Sequence, residues 1–580
     1  MNFRLSRREL IAYLLALLLA LGLRFIGLGE LPLTDSEARL ALDALQIAQG
    51  ESPALSSHVA YTNLTAVLFY LFGSFNFLAR FWPALAGSVL VFAPLLFREK
   101  IHPRPAAILA FFLALDPAFV AFSRQAGSPM LALTASLFAS GFWLRRQPRA
   151  AGVFLALALL SGPAPWLGVF SLLLAWMLAQ LLSVRQPTAE ADSPENAESD
   201  PGTETGAAPA VFSIQPYVPL LISAILTLLV ISTLFLLAPQ GLGAWLASLP
   251  QFLTGWIGVS AVPVGRLLLL LGMCQLLGIL FAVIALVRGW LIGNGQSIFL
   301  SLWMLVALLL VIFYTTRQAA DLVWMLIPLW TLAALELDRH FELDSQDRLE
   351  AVGVMIFTVL LLAFAWMDLN ALSLTPIPSE QGTIRLFLFV GALLLLVLSV
   401  LLVGFGWSAS IARVGTVWGV VIVIGLFTLG AAWDGTGLRS ANAIQPWSTS
   451  PRILQADLLS QTADEISEWS TGHADTLAVT IYGVDSPALL WSLRNHAVTV
   501  VQALDPASSP ELIVTPLQDE PGLAVAYRGQ DFNWRQAPIW DSIPAYFLRW
   551  FLYHELPSSS ESLVLWVRND LFIDSDSLQP

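Results

Sequence analysis

The chain has 580 residues, 57% of them hydrophobic and only 12% charged, with a mean hydropathy of +0.73. Soluble domains carry about 25% charged residues, so this composition excludes an ordinary soluble protein and points to a polytopic membrane protein with something soluble attached. A net charge of −13 argues against nucleic acid, which demands a basic surface, and a single cysteine, Cys274, excludes an intrachain disulfide or a Cys-based metal site.

In chain order, Arg4 to Leu28 joins a basic start to an apolar run of about the roughly 20 residues a span requires, and reads as an uncleaved first span. The polar loop that follows, 29–60, has three carboxylates within nine positions, Asp35, Glu37 and Asp43, with Arg39 among them and His58 close behind. Thr34-Asp-Ser-Glu37 fits a capping box, Thr34 as N-cap and Glu37 reaching back. Ala38, Ala41, Leu42, Leu45 and Ala48 then recur at helical spacing with Arg39, Asp43 and Gln46 opposite. That pattern predicts an amphipathic helix suited to lie on a membrane surface.

Further apolar runs predict spans at 61–78, 81–97, 105–123, 130–144, 151–160 and 166–182, then at 217–237, 264–287, 298–314, 322–337, 352–367, 386–405 and 414–432. The total is about 12 to 14. Arg4, Arg7 and Arg8 place the N-terminus in the cytoplasm and the loop 29–60 outside. The arginines at 145, 146, 149, 185, 288, 339, 348 and 413 then fall inside on strict alternation, and so do Arg98, Lys100 and Arg104 if 61–97 makes one net crossing, with one of its two runs re-entrant or surface-lying. Asp116-Pro117 reads as a helix break, and Arg317 and Asp321 as an i,i+4 pair. Residues 186–210, with six acids and no base, predict a disordered cytoplasmic linker between membrane halves 1–185 and 211–433.

From 434 to 580 the composition becomes that of a soluble domain, with 7 arginines against 18 carboxylates. Helical runs (453–469, 487–494, 543–554) alternate with β-rich runs (477–482, 498–502, 512–514, 523–527, 563–567), predicting a small extracytoplasmic α/β domain. No glycine-rich phosphate loop follows its strands, and His473, His496 and His554 lack metal-ligand spacing.

A series of motifs carries a family resemblance: Arg24-Phe25, the Leu-Pro-x-x-Asp turn before an Ala-rich helix ending at Gly50, Leu71-Phe72-Gly73, Ala79-Arg80-Phe81-Trp82-Pro83, and Asp116-Pro117 leading to Phe122-Ser123-Arg124. Over residues 9–145 the chain resembles the GT-C membrane glycosyltransferases, the group of protein O-mannosyltransferases and aminoarabinose transferases, and looks closest to the bacterial and archaeal members placed in family 39. The resemblance implies a plasma-membrane enzyme that takes a sugar from a polyprenyl-phosphate donor and passes it to an acceptor at the outer face. A carboxylate of the first outside loop would deprotonate the acceptor hydroxyl, and arginines would face the lipid phosphate. By position the carboxylate is Asp35 or Glu37, and the substrate-binding residues are Arg39, His58, Arg80, Arg124 and Arg317. In the family the two acids are adjacent, whereas Ser36 separates them here; the acid that often follows the arginine is replaced by Gly127 or Ser128. No cofactor is implied, although the loop carboxylates could hold a divalent ion. The expected partners are the lipid-linked sugar, membrane lipid and an acceptor whose nature stays open. Two other readings are a transporter or flippase for lipid-linked glycans and an inactive assembly partner.

Overall fold

A computed structural model describes residues 6–184, 217–259, 262–340, 347–375, 379–438, 445–518 and 520–572. The acidic linker lies outside these residues.

Each apolar run folds as helix, since a segment in hydrocarbon must satisfy its own backbone polar groups. Among the described residues, seven helices are long and apolar enough to cross a membrane, or nine if each of two bent pairs is one span. The twelve to fourteen spans expected from sequence are reached only by adding the four shorter apolar helices. The first helix, α1 (Arg7–Phe25), falls outside all three groups: charge at both ends, Arg7, Arg8, Glu9 and Arg24, shortens its apolar stretch. The polar loop forms α2 (Asp35–Ala48), followed by α3 (Val59–Phe72) and α4 (Asn76–Val89). At 14 residues α3 rises about 21 Å, short of a roughly 30 Å hydrocarbon core, whereas α4 continues to Leu96 and is long enough.

The first bent pair is α5 (Pro103–Leu115) and α6 (Pro117–Ser123), 56° apart. Asp116 makes the break: its carboxylate accepts from the Phe119 amide at 2.7 Å, capping α6, and from Trp330 Nε1 at 2.7 Å. The second pair, Val264–Cys274 and Leu276–Ile292, bends by 89° at the buried Gln275.

Two arginines tie α1 to these helices reciprocally. Arg24 donates to the Leu113 and Ala114 carbonyls at the end of α5, both at 2.9 Å. Arg124, just past α6, donates to Ile26 at 2.8 Å and Gly27 at 3.0 Å beyond the end of α1. Helix C-termini present unpaired carbonyls and a negative partial charge, which a guanidinium satisfies on both counts.

The soluble domain is built on a six-stranded sheet in the order β1-β5-β6-β4-β2-β3, with β1 (Arg452–Ile453), β2 (Val479–Tyr482), β3 (Val498–Val501), β4 (Leu512–Pro516), β5 (Tyr527–Pro538) and β6 (Ser558–Arg568). β2 pairs parallel with β3 and β4; the other pairings are antiparallel. The sequence expectation of a strand at 523–527 caught only the first residue of β5. That strand is mostly polar and exposed, with Phe532 and Trp534 its only fully buried side chains, so its alternation is faint.

The apolar face of α2 does not lie on lipid. Ala38, Ala41 and Ala44 are completely buried against Ala66 and Phe69 of α3 and the soluble domain's core, which includes Leu489 and Trp491. Alanine faces let helices approach closely, so this stripe serves helix packing and domain docking, not membrane binding.

Candidate functional site

A cavity of about 340 Å³ opens where the start of α2, the loop after α6, residues 445–453 and β5 converge. Glu37, Arg39, His58, Arg80 and Arg124 all line it. The chain thus brings five of the seven residues singled out from sequence to one place. Asp35 and Arg317 are not among the lining residues.

Glu37 is the hub. Thr34 and Glu37 form the predicted capping box, with Oε2 accepting from the Thr34 amide at 3.0 Å. The Thr34 hydroxyl adds a bond at 3.1 Å and the Ala126 amide another, to Oε1, at 2.9 Å. Arg80 completes a two-pronged pair, Nε to Oε1 and Nη2 to Oε2, both at 2.8 Å. Burial pushes the Glu37 carboxyl up, but Arg80 and the two amides outweigh it and hold the carboxyl below its usual range.

Arg80 spends its remaining donors on the Leu28, Leu31 and Pro32 carbonyls. It thereby shapes the loop between α1 and α2. Arg124 is held by the carbonyls at the end of α1; burial, reinforced by the charge of Arg80, pushes its guanidinium down to about 10, which still leaves it protonated at neutral pH. At Gly127 a side chain would be strained: its φ is +70°, and a Cβ there would come within 2.1 Å of Leu40 Cδ1.

Arg39 differs from these two. It is exposed on the first turns of α2, and its charged neighbour is Asp43 one turn on, whose carboxyl burial pushes up to about 6. His58 is half-buried at the start of α3; burial pushes its imidazole down, partly offset by a bond to the Ser161 backbone. Sequence reading missed Arg452, which lines the cavity from β1. Some 400 residues separate it from the loop, and nothing local marks it. The Ser36 and Ser450 hydroxyls, 2.9 Å apart, close the same seam.

Asp35 turns the other way. Its carboxylate receives the Ser486 hydroxyl, the Ala488 amide at 3.1 Å and Arg535 Nε at 2.8 Å. It therefore caps the short helix Pro487–Ser492 and docks the soluble domain. Arg317 donates to the Val262, Ile312 and Tyr314 carbonyls, and Asp321 caps the Gln318 amide, so they do not form the expected pair.

The cavity thus concentrates four guanidinium groups around one carboxylate, a setting suited to an anion with several oxygen atoms, such as a phosphate. Among the described residues no three His, Cys, Asp or Glu side chains gather as a metal site.

No family model matches the chain, and no curated protein matches it. Solved structures do, two of them over nearly the whole chain. ArnT from Cupriavidus metallidurans bound to undecaprenyl phosphate is 14% identical, with 98% of this chain and 99% of that one covered at a TM-score of 0.52. The apo state of the same protein is 14% identical, with 95% and 97% covered at 0.51. The chain has the fold of these structures, the GT-C fold expected from the motifs, over nearly its whole length.

Proposed function

We propose that this multi-pass membrane protein is a glycosyltransferase that takes a sugar from a polyprenyl-phosphate donor and transfers it to an acceptor. The observation that carries the reading is the arginine-lined cavity at the junction of loop, membrane helices and soluble domain. The fold supports it, because a structure of that fold binds undecaprenyl phosphate. Arg39 and Arg452 face the lipid phosphate, while Arg80 and Arg124 add positive potential from fixed positions. The acceptor oxygen attacks the anomeric carbon as the sugar–phosphate bond breaks, and the electron pair leaves on the phosphate oxygen. One displacement inverts the donor configuration. The site faces the outside of the plasma membrane, the orientation that the positive-inside trend of the arginines predicts.

A second reading, an inactive partner that binds the carrier lipid, draws on one observation: both candidate bases expected from the motif are already committed, Asp35 to docking and Glu37 to Arg80. Purified protein tested with labelled undecaprenyl-phosphate hexoses and pentoses separates the two. Release of undecaprenyl phosphate with sugar appearing on an added acceptor supports the enzyme. Binding of undecaprenyl phosphate with no transfer from any donor supports the partner, and no binding at all defeats both.

A further inference from the structure

The reaction needs a group to receive the acceptor's proton, and among the described residues that line the cavity two side chains have suitable chemistry, Glu37 and His58. Glu37 takes five donated hydrogen bonds, more than the roughly four lone-pair sites of a carboxylate. Accepting another proton would break the bonds that hold Arg80 and the loop. Asp35 stands outside the cavity altogether. The ring of His58 is seated against Gly162, where φ is +94° and a Cβ would lie 2.8 Å from Nδ1. Only glycine leaves room for the imidazole there.

We propose that His58, and neither Asp35 nor Glu37, takes the proton of the acceptor hydroxyl. This rests on the transferase reading above. One imidazole nitrogen bonds the hydroxyl hydrogen. As the oxygen forms its bond to the anomeric carbon, the proton moves to that nitrogen and the carrier phosphate departs with the electron pair. The resulting imidazolium is balanced by the phosphate charge released beside it. Burial favours the uncharged ring before reaction. The charged groups facing the same cavity are Glu37 and Arg39 on α2, Arg80 on α4, Arg124 after α6 and Arg452 on β1.

The test uses the full chain in lipid nanodiscs, with labelled undecaprenyl-phosphate sugars as donors and alkyl glycosides as hydroxyl acceptors. Undecaprenyl phosphate binding is measured in parallel. His58→Gln is expected to lower kcat about 10²- to 10³-fold while binding changes less than twofold. Wild-type kcat/KM should fall at acid pH through a value below the ordinary imidazole range, and His58→Gln should lack that limb. His58→Ala should regain at least tenfold with added imidazole, a rescue that a merely structural role would not allow. Retained transfer with an unchanged acid limb in His58→Gln overturns the role of His58 and leaves the transferase standing. A wild type that neither binds undecaprenyl phosphate nor transfers sugar overturns the transferase reading and the role of His58 with it.

Discussion

Replacing Glu37 by Gln tests the centre of the site most directly. The two side chains have the same shape, so nothing is lost by volume. A carboxylate accepts at both oxygens, however, whereas an amide offers one oxygen and an NH2. Oε1 faces Arg80 Nε and the Ala126 amide; Oε2 faces Arg80 Nη2 with the Thr34 amide and hydroxyl. Either orientation of the glutamine sets its NH2 against donors, and Arg80, only 6% exposed, loses its counter-charge. Removing one partner of a buried pair costs about 3–5 kcal/mol. For a chain this large that should lower the apparent melting temperature by on the order of 5 °C, read by tryptophan fluorescence in detergent. Arg80→Met should cost a similar amount, and the double variant much less than the two singles together, because neither charge is then left alone. A Glu37→Gln protein that melts within about 1 °C of wild type would refute the hub.

Three further outcomes follow from the same geometry. Arg39→Ala should weaken undecaprenyl phosphate binding about fivefold, corresponding to roughly 1 kcal/mol for one cation near a membrane surface, with melting unchanged; unaltered binding in a titration would remove Arg39 from the site. Asp35→Ala should cost about 1–3 kcal/mol by leaving the Ala488 amide without its acceptor and taking from Arg535 one of its two carboxylate partners, and limited proteolysis should cut the soluble domain faster than in wild type. Asp43 has its carboxyl pushed up to about 6 by burial, so it favours the fold below the unfolded carboxyl value and loses that contribution as pH rises through 6. Asp43→Asn should therefore raise melting at pH 7.5, on the order of 1 kcal/mol after screening of a half-exposed group, and leave it unchanged near pH 4.

The helices were legible because hydrocarbon imposes one solution on a long apolar run, and Thr34 to Glu37 were legible because a capping box is local. Short runs were harder: periodicity locates α3 but cannot say what covers it. The face of α2 was read as membrane-binding because Ala38, Ala41 and Ala44 look alike whether lipid or protein lies against them. β5 escaped because its register is set by β6 rather than by its own alternation. In the site, position along the chain identified Arg80 and Arg124 but not their duty toward backbone carbonyls, which depends on where other helices end. Asp35 and Glu37, two residues apart at a helix start, point in different directions, and that difference separates a docking contact from a cavity wall. Arg452 had no local signal at all.

The reciprocal clamps of Arg24 and Arg124 bear on a peculiarity of composition: the chain has 28 basic residues, and only Lys100 is a lysine. Arg145 gathers the Leu95 and Leu96 carbonyls, and Arg494 those of Ser74 and Trp491, so the device recurs across the molecule. A flat fork with five donors can bridge neighbouring oxygens that face different ways; an ammonium, a single point on a flexible stem, cannot hold them in the same register. Arginine here works as a fastener between helix ends, and its charge also stays fixed across the whole physiological pH range. A lysine-for-arginine exchange, conservative by charge, would in this molecule undo joints.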